Sequence, residues 1–182
     1  MKHLTYVLLT ALIILGGCKN DDDNTPIAPI DQLPPATKFG ANTAGCLVNG
    51  EVHLPNNKSL QPLSFNYINL EDFTLKISHK TNDIIYTILI SVYDVSLVQG
   101  NTYPLNIEFG ENAATGEYLI NAESYPSPNY YSTTPIVNGE LTITFINMEK
   151  FIMSGTFWFD AINSENTKIE IREGRFDMIY NR

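Results

Sequence analysis

Residues 73–92 read FTLKISHKTNDIIYTILISV, and this stretch decides the fold class. Phe73, Leu75, Ile77 and His79 alternate with Thr74, Lys76, Ser78 and Lys80. A period of two is that of a half-buried β-strand. Thr81-Asn82-Asp83 then supplies turn-forming residues. From Ile84 to Val92 the chain is nearly continuously apolar, as expected of a central strand covered on both faces.

The same grammar extends outward. Downstream, Leu141, Ile143 and Phe145 share a face opposite Thr142 and Thr144. Residues 151–160 and 168–173 read as a hairpin joined through the Asn- and Ser-containing segment 161–167. Gly174 is expected to break the run before a last strand carrying Phe176, Met178 and Tyr180. Upstream, the alternation puts Cys46, Val48, Val52 and Leu54 on one face and Leu47, Asn49, Glu51 and His53 on the other. Asn49-Gly50 and Asn138-Gly139 are turn signals. No helical periodicity appears beyond Phe39. The expectation is an all-β domain over 39–182, a single antiparallel β-sandwich or flattened barrel of about eight to ten strands. A region of that length buries nearly 70% of its unfolded surface and needs no disulfide.

The first 38 residues are of a different kind. Lys2 and His3 precede an apolar run over 4–15, too short to span a bilayer as a helix but suited to a secretory signal peptide. The run ends in Leu15-Gly16-Gly17-Cys18, which resembles the lipobox of bacterial lipoproteins. That resemblance implies cleavage after residue 17 and lipidation of Cys18, a membrane anchor held by more than one acyl chain. Residues 18–38 then form the lipidated Cys and a disordered tether. It is acidic at Asp21, Asp22 and Asp23 and rich in proline at Pro26, Pro29, Pro34 and Pro35. The three aspartates resemble the surface-export signal of Bacteroidetes lipoproteins, which implies an outer-membrane protein facing the cell exterior.

Residues 33–55, LPPATKFGANTAGCLVNGEVHLP, and residues 155–180, beginning GTFWFDAIN and ending EIREGRFDMIY, resemble a family of uncharacterised Bacteroidetes lipoproteins, a family of domains of unknown function. The resemblance implies a cell-envelope β domain and brings no established activity, cofactor or catalytic residue.

Chemistry is sparse. The 20 Asp and Glu against 11 Lys and Arg give a formal charge of −9, which excludes a phosphate-backbone partner and hence nucleic acid. With Cys18 committed to lipid, Cys46 has no internal partner and reads as a buried inert thiol. His53 and His79 lie in no metal-binding motif, and His79 is placed at the rim of the core. No nucleophile elbow, Ser-x-x-Lys motif or phosphate-cradling Gly loop is present. Glu108, Glu111, Glu117 and Glu123 offer carboxylates for glycoside hydrolysis, but nothing brings two of them together. The expected catalytic, cofactor and metal sites are therefore none.

Aromatic residues carry the remaining signal. Tyr125, Tyr130 and Tyr131 lie in a proline-rich loop, and Trp158 faces away from Phe157 and Phe159. Exposed rings of this kind give rigid contact area for glycans or proteins. The expected function is a non-catalytic surface binding module for an unknown glycan or protein partner, with Trp158, Tyr125, Tyr130 and Tyr131 as ligand contacts. The alternatives are a calycin-like barrel carrying a small apolar ligand and a carbohydrate-active enzyme.

Overall fold

The computed structural model describes residues 26–107, 114–121 and 126–180. Its strands are β1 (Thr43–Val48), β2 (Glu51–His53), β3 (Leu63–Ile68), β4 (Asp72–Thr81), β5 (Ile84–Val92) and β6 (Thr102–Leu105). They continue as β7 (Ala114–Ile120), β8 (Tyr130–Ser132), β9 (Gly139–Asn147), β10 (Ile152–Ile162) and β11 (Lys168–Ile179). Among the described residues there is no α-helix, and no helix is long and apolar enough to cross a membrane. All pairings are antiparallel, in the order β2-β1-β11-β10-β8-β7-β5-β4-β3. The sheet forks at β10, which pairs along most of its length with β9, itself paired with β6, and reaches β8 through Ile162.

The β3-β4 end of the sheet folds over β11 as a sandwich, and the sheet does not close into a barrel. The calycin-like reading required that closure. Rings from β3 and β4 meet rings from the end of β11: Phe65 and Phe73 each lie 5.7 Å from Phe176, and Tyr67 lies 5.5 Å from Tyr180. Phe73, Leu75 and Ile77 stand opposite Val92, Ile90 and Ile88 and are buried with them. Each such side chain contributes about 1.5–3 kcal/mol on burial. The other face of this pair is covered in part: Ser78, Thr87 and Ser91 are buried, with Ser78 Oγ 3.0 Å from Thr87 Oγ1, whereas Thr74, Lys76, Ile85 and Leu89 stay partly exposed.

The hairpin turns follow the sequence where asparagine leads. Asn49 and Gly50, at φ 49° and 85°, join β1 to β2, and Asn82 and Asp83, at 49° and 64°, join β4 to β5. Positive φ at both central residues matches the right-handed strand twist. This turn also corrects one face assignment. A two-residue hairpin makes Val48 face Glu51 and Cys46 face His53. His53 therefore joins the buried Cys46 side, not the opposite face.

Two other expectations are corrected. Gly174 does not end a strand: β11 runs through it, and a Cβ there would lie 2.4 Å from the Phe157 ring and 2.6 Å from Phe157 O. Gly139 is not in a turn but begins β9, where a Cβ would fall 2.2 Å from Trp158 O. In both places the glycine accommodates a close approach of β10.

Packing also begins before Phe39. Leu33 is buried, a 3-10 turn covers Pro29–Gln32, and Asp177 pins the segment that follows. Its carboxylate accepts hydrogen bonds from Thr37 Oγ1 (2.6 Å) and from the backbone N–H groups of Phe39, Gly40 and Ala41. Ser154 Oγ, at 2.7 Å, donates a fifth. The last part of the segment read as tether is thus stapled to β11.

Candidate functional site

Trp158 stands on the outer face of β10, 38% exposed, between the buried Phe157 and Phe159. The alternation of the strand dictates this placement. What surrounds the indole is decided by an irregularity. Phe157 pairs with Gly174 but Phe159 pairs with Ile171, so Arg172 and Glu173 together oppose Trp158. Glu173 takes the left-handed conformation at φ 55°. Such a bulge bends the strand and re-aims side chains.

The consequence is a charged rim around an aromatic ring. The Arg172 guanidinium carbon lies 5.5 Å from the Trp158 ring centroid, a cation–π contact. Trp158 Nε1 donates to Glu140 Oε2 at 3.2 Å. Arg172 Nη2 also donates to Asp160 Oδ1 at 2.6 Å, and Lys168 Nζ donates to Asp160 Oδ2 at 3.2 Å and to Glu170 Oε1 at 2.7 Å. Burial works against ionisation of Asp160, but the hydrogen bonds from Arg172 and Lys168 outweigh it and hold its pKa below the ordinary value. The groove beside the indole has a volume of about 490 Å³ and is lined by Ala36, Glu140, Thr142, Thr156, Trp158 and Arg175, among others. It thus offers an apolar ring, hydroxyls, carboxylates and guanidinium donors on one open face.

The other expected contacts lie elsewhere. Tyr130 is buried, and its hydroxyl hydrogen-bonds to Glu117 on the outer face of β7. Tyr131 points the other way and packs against Tyr118 at 5.8 Å. Among the described residues no ring contact joins either tyrosine to Trp158. Cys18 and Tyr125 lie outside the described residues, as do Glu108, Glu111 and Glu123.

Glu117, the remaining carboxylate of that group, is buried among hydroxyls. Thr115 Oγ1 lies 3.5 Å from its Oε1, and Ser132 faces it across the strand pair. Burial raises its pKa against the lowering effect of the Tyr130 and Thr115 hydroxyls.

Cys46 is fully buried, and burial pushes its thiol pKa far up, away from the thiolate that a nucleophile needs. His53 donates Nε2–H to Ile77 O at 3.2 Å, and burial lowers its pKa to about 4. His79 lies 5.8 Å away, ring to ring, with Nδ1 3.0 Å from Leu54 O. Among the described residues no group of three or more His, Cys, Asp or Glu side chains converges where a metal ion could sit.

Arg172, Glu140 and Asp160 were not singled out in the sequence. Strand parity could have placed Glu140 and Asp160 beside Trp158; the bulge that brings Arg172 there has no local signature.

No curated protein and no solved structure matches the chain. A family described as a domain of unknown function, DUF6252, matches residues 66–179, a span that holds every strand from β4 to β11 and leaves β1 and β2 outside. The chain belongs to that family, DUF6252.

Proposed function

We propose that this chain is a lipid-anchored protein of the cell envelope, held in the outer membrane through Cys18 and facing the exterior, whose β domain binds a glycan through the groove beside Trp158. The Trp158 groove is the observation that carries the binding reading. Sugars present an apolar C–H face to an aromatic ring and hydroxyls to neighbouring carboxylates, threonines and guanidinium groups. Regular pairing of β9 with β10 supplies Glu140, Thr142 and Thr156, and the bulge in β11 adds Arg172 and Glu173, around one ring that stays 38% exposed. The Leu15-Gly16-Gly17-Cys18 motif and the aspartates at 21–23 support the anchor and the address.

The binding reading is tested by screening the full chain on an array of bacterial and host glycans. At least one class should bind, and Trp158→Ala should weaken it by at least about tenfold, a loss of about 1.4 kcal/mol. Binding that survives Trp158→Ala, or no binding at all, overturns it. The anchor is tested separately in cells: Cys18→Ser should abolish lipid labelling and membrane retention. Protease added to intact cells should cleave the domain, and replacing Asp21, Asp22 and Asp23 by Ala should protect it.

A further inference from the structure

The Trp158 groove spans two rungs laid across β9, β10 and β11. One rung runs from Glu140 through Trp158 to the bulged pair Arg172 and Glu173, and the next from Thr142 through Thr156 to Arg175. Two carboxylates and two guanidinium groups thus line it, so the lining is balanced in a chain of net charge −9. The four charges are not equally free.

Arg172 is committed within the protein. Its Nη1 donates to Ile171 O at 2.9 Å and to Phe159 O at 3.2 Å. Its Nη2 donates to Asp160 Oδ1 at 2.6 Å and lies 3.6 Å from Glu170 Oε2. Arg175 turns to its neighbour on the bulge: Nε donates to Glu173 O at 3.2 Å, and Nη2 lies 3.7 Å from Glu173 Oε2. Glu140 is the exception. Among the described residues no cationic group lies within ion-pair distance of it. Strand pairing sets it directly opposite Trp158, and its Oε2 takes the indole N–H at 3.2 Å. An exposed carboxylate is therefore fixed at the edge of the ring, with Oε1 left to accept from a ligand.

This asymmetry selects among sugars. A sugar hydroxyl beside the indole can donate to Glu140 Oε1, a charge-assisted bond that breaks no ion pair. A sugar carboxylate in the same place would meet Glu140 with no cation between them. It could win Arg172 only by drawing that side chain from Asp160. Like charges at such close range disfavour one another. Given glycan binding at Trp158, on which this rests, we infer that the groove takes a neutral saccharide and that Glu140 is the specificity-determining residue that turns acidic ones away. A fixed like charge rejects a competitor whose shape the site would accept.

The test uses the full chain and matched pairs of probes: oligomers of glucose, galactose, mannose and N-acetylglucosamine, and the same oligomers oxidised at C6 to the carboxylate. At least one neutral oligomer should bind, and its acidic counterpart should bind at least about tenfold more weakly. Neutral binding should change by less than about twofold between about 50 and about 500 mM salt, because the ligand forms no ion pair. Glu140→Gln removes the charge but keeps a carbonyl for the indole N–H. Neutral binding and the thermal midpoint should survive it, and the ratio between each pair should shrink to below about threefold. An acidic oligomer bound as well as its neutral partner, affinity that collapses with salt, or a ratio untouched by Glu140→Gln overturns the inference. So does neutral binding that is lost with Glu140→Gln. Where the acidic oligomer binds and still depends on Trp158, the groove remains a glycan site of another class. No binding to any of these probes also overturns the inference, and the glycan array decides separately whether the glycan reading falls with it.

Discussion

Asp177 and Glu117 are hidden to nearly the same degree, 1% and 3% exposed, yet the two regions treat their carboxyls in opposite ways. Around Asp177 the chain folds five donors onto one carboxylate, two hydroxyls and three backbone N–H groups. Burial alone would raise its pKa. The hydrogen bonds from Thr37, Ala41, Ser154 and Gly40 win and lower it to about 2. Around Glu117 the hydrogen bonds come from the hydroxyls of Tyr130 and Thr115, and burial wins. Donor number and lost solvation together set the direction of each shift: five donors outweigh burial at Asp177, whereas burial outweighs two hydroxyls at Glu117. Asp177 is a staple whose donors favour its charged form, whereas the pocket around Glu117 shifts its carboxyl toward the neutral form.

The largest expected effect tests the staple. Asp177→Ala leaves the donors of Thr37, Phe39, Gly40, Ala41 and Ser154 without their acceptor and should cost about 4 kcal/mol in urea unfolding. A loss below about 1 kcal/mol would show that water replaces the carboxylate freely there, and the comparison would fail.

Next comes His53, a third buried titratable group with a single backbone acceptor. Its pKa is lowered from 6.5 to about 4, so the unfolded chain takes up the proton first. Its contribution to stability is complete above pH 6.5 and is lost as pH falls toward 4, by about 3 kcal/mol. Unfolding curves from pH 8 to 4 should show this slope, and His53→Phe should flatten it. Asp177 acts lower: its contribution is complete above pH 3.8 and is lost as pH falls toward 2.

A smaller effect separates charge from shape. Asp177→Asn keeps one carbonyl oxygen but turns an NH₂ toward the backbone donors, and should cost about 2 kcal/mol. The smallest effect is at the opposite pole. Glu117→Gln should change stability at pH 7 by less than about 1 kcal/mol, because burial already disfavours the charged form and the glutamine carbonyl keeps an acceptor for the Tyr130 and Thr115 hydroxyls. With a raised carboxyl pKa the sign reverses: Glu117 stabilises most at low pH, and its contribution falls as pH rises through that pKa. Glu117→Gln should remove that decline, and a variant that keeps it would place the titration elsewhere.

The strands were largely legible where side chains alternate. Phe73, Leu75 and Ile77 announced a half-buried β4, the apolar run from Ile84 announced β5, whose outer face is covered only in part, and Asn82-Asp83 the turn between them. The parity of Phe157, Trp158 and Phe159 turned the indole outward. Reading failed where a glycine answered to another strand. Gly174 and Gly139 look like punctuation until Phe157 and Phe159 are seen pressing on them. It failed again at His53, whose face depends on how a two-residue turn resets the alternation. Tyr130 and Tyr131 were grouped because they are neighbours, but neighbours on a strand face opposite sides.

The sequence by itself determined an all-β chain, the asparagine-led turns at Asn49-Gly50 and Asn82-Asp83 and the outward aspect of Trp158, because these depend on period-two patterning and on residues adjacent in the chain. Only the tertiary structure decided the fork at β10, the bulge that swings Arg172 over the indole and the five donors on Asp177. Each depends on which segments become neighbours, and antiparallel pairing joins residues as far apart as Thr43 and Asp177. Contacts at that separation leave no periodic trace in the residues that make them.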